Sequence, residues 1–258
     1  MILEHKGINI FYTDEGKGEA IVLLHGFLEN SSMWQYLIPD LVEKNRVITI
    51  DLLGHGQTGC LGYIHTMEMM AEAVNKVLSF LKIDKSVFIG HSMGGYVALA
   101  FIELYPDKVN KLCLMNSTAI ADSKEKQLNR DRAILAVKSN HKTFISMSIA
   151  NLFRPKNRLV FKDKIKLIKE EALQMPLQGI IAALEGMKIR KNREIILQNR
   201  SFKKMMIIGS KDPVLEYNTL IKQTTGTDVK VVEFPDGHMS HIENMKDLSY
   251  NINQFIEK

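Results

Sequence analysis

Val87-Phe-Ile-Gly90-His91-Ser92-Met93-Gly94-Gly95 is the stretch on which the reading of the fold turns. A run of branched and aromatic residues, too short for a stable helix, ends in a serine with glycine two residues to either side. Helical periodicity begins directly beyond, over 93–105. A strand that reverses sharply into a helix forces its turn residue into a strained conformation with the side chain held out, and the flanking glycines leave room for neighbouring chain. Ser92 is therefore the candidate nucleophile, at a helix N-terminus whose dipole favours developing negative charge. The competing reading is an ordinary glycine-rich turn. The strand before and the helix after favour the nucleophile.

The same alternation extends outward. Short branched runs at 21–25, 47–51, 87–90 and 112–115 are separated by helical patterns at 33–44, 66–82 and 93–105. This order implies βαβ crossovers and a mostly parallel sheet covered on both faces. Residues 8–13, ahead of a Gly16-Lys-Gly18 hairpin turn, and the first residues read as antiparallel edge strands. From 119 to 200 the strand signals vanish. Helical stretches appear at 125–140, 142–153, 158–175 and 177–189, with Pro155 and Pro176 as breakers. Strands resume at 205–209 and 229–234, and an amphipathic helix over 241–257 closes the pattern. An all-helical block inside a resumed α/β pattern reads as a lid over the carboxyl edge of the sheet.

With 258 residues, 45% hydrophobic and 24% charged, the composition argues against disorder, collagen-like repeats and coiled coil. No apolar run reaches the roughly 18 residues of a membrane span. Glu4 and Lys6 fall where a signal peptide needs its apolar region, so a cytoplasmic protein is expected. Cys60 and Cys113 are too few for a disulfide framework or a cysteine metal cluster. Residues 121–200 carry 18 Lys and Arg against 8 Asp and Glu, whereas the rest carries 16 against 21. No aromatic-interleaved basic motif accompanies this segment, so nucleic acid is not the expected partner. Solvated lysine-rich faces account for it most simply; an acidic partner or anionic substrate is the sharper alternative.

Serine needs a positioned base. His238 follows the strand 229–234 through Pro235-Asp-Gly237 and so lies on a loop at the carboxyl edge, where Ser92 also lies. His241 competes, but Ser240-His-Ile-Glu243 has capping-box spacing, which makes His241 a helix-start residue. The base in turn needs a carboxylate to fix its tautomer. Asp212, in Gly209-Ser-Lys-Asp-Pro213, is the candidate. The other common position, after 112–115, reads Asn116-Ser117 and offers no acid. Oxyanion donors would be the backbone amides of Met93 and of Phe27 in His25-Gly26-Phe27. His91 and His25 read as structural, His55 as a loop residue near the site, and Cys113 as a buried hydrophobe. No HExxH or clustered His/Asp pattern suggests a metal.

The chain order Ser92, Asp212, His238, with His25-Gly26 upstream, resembles the α/β-hydrolase superfamily over essentially the whole chain. Asp51-Leu-Leu-Gly54-His-Gly56 is similar to the D-x-x-G-x-G loop of that family, and Gly237-His238 with Glu243 to its G-H-x-x-x-x-E ending; the usual proline after the glutamate is absent. The resemblance implies an eight-stranded, mostly parallel sheet flanked by helices, with a helical cap inserted after the sixth strand. It places the core at 1–118 and 201–258 and the cap at 119–200. It also implies a cofactor-free serine hydrolase that cleaves a small or medium ester, thioester or lactone through an acyl-enzyme, with no metal. A C–C bond hydrolase or menaquinone-pathway-like lyase using the same three residues, and a ligand-binding signalling protein with slow hydrolysis, are the alternatives.

Overall fold

The short branched runs become the strands of one sheet. In the computed structural model, which describes residues 1–198 and 201–257, these are β1 (Ile2–His5), β2 (Ile8–Gly16), β3 (Glu19–Leu24), β4 (Asn45–Ile50), β5 (Ser86–His91), β6 (Val109–Met115), β7 (Lys203–Gly209) and β8 (Lys230–Phe234). Their spatial order is β1-β2-β4-β3-β5-β6-β7-β8. β3 to β8 run parallel, while β1 and β2 are antiparallel to each other and β2 is antiparallel to β4. The Gly16-Lys-Gly18 segment is not the hairpin turn read from its glycines. β4 lies between β2 and β3, with Gly16 opposite Arg46 and Glu19 opposite Asn45, so the connection crosses the start of β4. Local turn chemistry cannot report a strand that inserts from elsewhere in the chain.

The central strands are apolar on both sides because both faces are covered. Ile21 and Leu23 of β3 pack on one face with Trp34, Val87, Ile89 and Phe255; Val22 and Leu24 pack on the other with Phe88, Val97 and Leu114. Helices α1 (Ile38–Val42), α2 (Met67–Phe80) and α3 (Met93–Leu104) belong to the first half of the chain. The helix expected over 33–44 is broken into a 3₁₀ turn at Ser31–Trp34, capped by the Asn30 side chain, and the short α1. α2 starts at Thr66, whose hydroxyl accepts from the Met69 amide, and buries Met67, Met70, Ala71, Val74, Val77 and Leu78 along one stripe. α3 is buried on nearly every side, which places the helix behind Ser92 at the centre of the molecule.

Between β6 and β7 lie α4 (Lys124–Ser139), α5 (His141–Leu152), α6 (Lys162–Ala172), α7 (Leu177–Lys188) and α8 (Glu194–Gln198). The boundary expected at residue 200 lies outside the described residues. Many cations of this insertion are fasteners. Arg193 is buried and bridges Glu68 of α2 at 2.6 Å and Glu103 of α3 at 2.7 Å. Arg154 reaches Asp236 at 3.1 Å, and Lys188 reaches Asp131 at 2.7 Å. Arg193 and Arg154 thus dock the insertion to carboxylates of the rest of the chain, while Lys188 joins α7 to α4 within it. The chain closes with α9 (Tyr217–Thr224), α10 (Ser240–Glu243) and α11 (Met245–Glu257). No helix among the described residues is long and apolar enough to cross a membrane.

Candidate active site

Ser92 stands between the end of β5 and the start of α3 with φ +48° and ψ −113°, a region disfavoured for an L-residue. The tight packing behind it requires glycine: a Cβ at Gly94 would lie 2.2 Å from the Leu24 carbonyl oxygen. The turn is pinned from β6, since the Ser92 amide donates to the Met115 carbonyl at 2.9 Å and the Ser117 hydroxyl donates to the Ser92 carbonyl at 2.7 Å.

His238 lies on the loop after β8, and its Nδ1 is 2.6 Å from Asp212 Oδ2, both side chains being buried. The other Asp212 oxygen accepts from the amides of Val214 and Leu215 at 2.8 and 3.0 Å. Burial acts to raise the Asp212 pKa, but the His238 imidazole and these amides outweigh it and leave the carboxyl below its ordinary range. One oxygen thus braces the turn over 212–215 while the other meets His238. The His238 amide donates to the carbonyl of Leu152, the last residue of α5, so the insertion holds this loop.

Asn116 was passed over in the sequence because it is not an acid. Positioned at the end of β6 with φ +45°, it donates from Nδ2 to Asp212 Oδ2 and to the Gly237 carbonyl, each at 3.2 Å, and accepts from the Ser240 hydroxyl at 2.6 Å. The signal was its place in the chain, where the family's alternative acid falls. Ser240 is correspondingly not the cap that its spacing suggested. Its hydroxyl goes to Asn116, and the Glu243 carboxylate accepts from the amides of Arg154, Gly237 and Met239.

Ser92 and His238 line one cavity of about 100 Å³ together with Phe27, Leu28, Tyr96, Leu152, Met187 and Arg130. No hydrogen bond joins the Ser92 hydroxyl to His238; such links are often long before substrate is bound. Phe27 lines the cavity and Met93 is the first residue of α3, and among the described residues neither backbone amide donates a hydrogen bond. The loop carrying Phe27 is fixed by His25, whose Nδ1 donates to the Gly26 carbonyl at 2.8 Å while Nε2 accepts from the Leu52 amide at 2.9 Å. Asp51 braces the adjacent loop by accepting from Ser31 and Gln57 amides. His55 is buried behind Phe27, with 6.1 Å between ring centres, and does not line the cavity. A larger cavity, about 220 Å³, opens between Tyr36 and α6 and includes neither Ser92 nor His238.

Glu29, which drew no attention in the sequence, meets His91 and His241 at the edge of this cavity, their ligand atoms within 4.8 Å of one another. His91 is not free to act as a metal ligand: Nδ1 is 2.7 Å from Glu29 Oε2 and Nε2 is 3.0 Å from the His238 carbonyl oxygen. Two acceptors require two N–H groups, hence an imidazolium. Burial works against that charge, but Glu29 outweighs it and the His91 pKa is raised. Burial likewise acts to raise Glu29, yet His91 brings it down to about 2.

A model of the alpha/beta hydrolase fold matches residues 19–245. The acetyltransferase component of an acetoin cleaving system from Pseudomonas putida is 26% identical over 93% of this chain and 64% of its own length. A putative 2-succinyl-6-hydroxy-2,4-cyclohexadiene-1-carboxylate synthase from Bacillus subtilis is 32% identical over 50% of this chain and 49% of its own. The chain thus spans about half to two thirds of these relatives. Among solved structures, a thermophilic esterase from Thermogutta terrifontis with malate bound superposes with a TM-score of 0.91 and 28% identity, covering 99% of this chain and 96% of that one. With the sheet order, the elbow and the match to 227 of its residues, the chain belongs to the alpha/beta hydrolase fold family.

Proposed function

We propose that this chain is a cofactor-free serine hydrolase acting on small carboxylic esters, thioesters or lactones, with the helical insertion, residues 119–200, as a cap over its core. The observation that carries this reading is a small cavity walled both by Ser92 on its strained turn and by His238 held on Asp212. His238 Nε2 takes the Ser92 hydroxyl proton as Oγ attacks the acyl carbon. The Phe27 and Met93 amides receive the oxyanion, each such donor contributing about 2.7–4 kcal/mol to the transition state. Asp212 keeps the proton on Nδ1 and stabilises the imidazolium, which then protonates the leaving group. Water, deprotonated by the same imidazole, releases the acid and restores the hydroxyl. The likeness to an esterase along nearly the full length supports this reaction class.

Partial likeness to the Bacillus subtilis synthase favours a second reading, in which the same histidine acts on a carbon acid and a C–C or C–O bond is cleaved without an acyl-enzyme. A panel of esters, lactones, thioesters and β-diketones, run with wild type and Ser92→Ala, separates the two. Ester turnover lost in Ser92→Ala supports the first. Turnover confined to β-diketones or carbon acids supports the second.

A further inference from the structure

We infer that Arg130 is a substrate-recognition residue and that the substrate is a short ester carrying a carboxylate in addition to its scissile carbonyl. This rests on the reading of Ser92 and His238 as the reacting groups. Arg130 differs from the other cations of the insertion because α4 brings it into the wall of the cavity that Ser92 and His238 line.

The local charge does not cancel. Asp122, its side chain fully buried, is shared by two guanidiniums: it pairs with Arg130 Nε, and Arg190 Nη1 lies 2.6 Å away. One carboxylate between two arginines leaves one positive charge. Arg190 is committed elsewhere, to the carbonyls of Met187 and Ile120 and to the face of Tyr96, 4.1 Å from its ring centre. Arg130 is not committed in this way. It uses Nε and Nη2 on Asp122, and among the described residues its Nη1 makes no hydrogen bond.

An arginine with free N–H groups and a half-buried stem is suited to a planar carboxylate, which it can grip with two hydrogen bonds in a medium drier than water. Glu29 also lines the cavity, but its charge is met by His91 and the Gly26 amide, so it does not oppose an incoming anion as a bare carboxylate would. A cavity of about 100 Å³ favours a short ester, with few atoms between the carbonyl and the carboxylate.

The test compares kcat/KM for monomethyl succinate (carboxylate on the acyl arm), O-acetylglycolate (carboxylate on the leaving arm) and methyl pentanoate (neutral). The expected result is at least a ten-fold preference of the wild type for one of the charged esters. That preference falls five-fold or more in Arg130→Gln and partly returns in Arg130→Lys. No such preference, or one that falls less than five-fold in Arg130→Gln, overturns the proposal. Calorimetric titration of succinate and of succinamide into Ser92→Ala protein tests the site without the variant at 130 and without turnover. Binding of succinate at least ten-fold tighter than succinamide supports it, and equal binding overturns it. If Ser92→Ala still turns over the esters, the nucleophile reading fails, whichever way the succinate titration falls.

Discussion

Glu29 Oε2 lies 2.7 Å from His91 Nδ1, and the same oxygen accepts from the Gly26 amide at 2.9 Å. One buried ion pair thereby ties together the loop bearing Phe27, the turn bearing Ser92 and, through His91 Nε2, the main chain of His238. The three segments come from widely separated parts of the sequence, and the contact is close enough that a Cβ at position 26 would fall 2.4 Å from Glu29 Oε2. A buried ion pair outside the proposed chemistry thus sets the relative placement of the segments that carry it.

Removing either partner has unequal consequences. His91→Leu strands a carboxylate in the interior, a defect that typically costs about 3–5 kcal/mol. Glu29→Gln is milder, because the imidazole can release its proton, but it then has one N–H for two acceptors. Urea unfolding at pH 7 is expected to rank wild type above Glu29→Gln and Glu29→Gln above His91→Leu. Equal stability of the two variants contradicts the imidazolium assignment.

Asn116 stands where an acid would also reach the base. Asp212→Asn is expected to lower kcat by about 10⁴-fold, because the imidazole loses the group that fixes its tautomer. Asn116 Nδ2 is only 3.2 Å from Asp212 Oδ2, so adding Asn116→Asp to that variant is expected to restore at least ten-fold of the lost kcat. No recovery, in a double variant that folds, means that the end of β6 cannot present a carboxylate to His238.

Acid stability follows from histidines kept neutral by burial. Burial pushes His241 down to about 4, and it also lowers His25, His55 and His65. Below pH 6.5 the unfolded chain binds protons that the folded chain refuses, so stability falls as pH drops from about 6.5 to about 4. His91, raised instead, contributes a constant amount below 6.5, and Glu29 is lost only as pH falls from 4.5 toward about 2. At about 1.4 kcal/mol per pKa unit, His241 accounts for on the order of 3 kcal/mol of the decline. Unfolding free energies at pH 7 and 4.5 are expected to differ less in His241→Gln than in wild type. An unchanged difference contradicts the assignment.

Much of the candidate site was legible in the sequence. The elbow is a local event, written in Gly90, Ser92 and Gly94, and the strands announced themselves by branched residues buried on both faces. His238 and Asp212 were legible because each follows a strand whose end fixes its place at the carboxyl edge. Glu29 and Asn116 were not, since each acquires meaning only from groups brought by distant strands. The misreadings share that cause. Gly16-Lys-Gly18 looked like a hairpin because β4 was out of view, and Ser240 looked like a cap because Asn116 was. Charge counting found a basic insertion but could not tell Arg193, sunk between Glu68 and Glu103, from Arg130 in the cavity wall.

Mass spectrometry of the protein after reaction with a fluorophosphonate tests the central claim most directly. One adduct is predicted, on the peptide containing Ser92, absent from Ser92→Ala and formed far more slowly in His238→Asn. An adduct on another residue, or undiminished labelling of Ser92→Ala, contradicts the account.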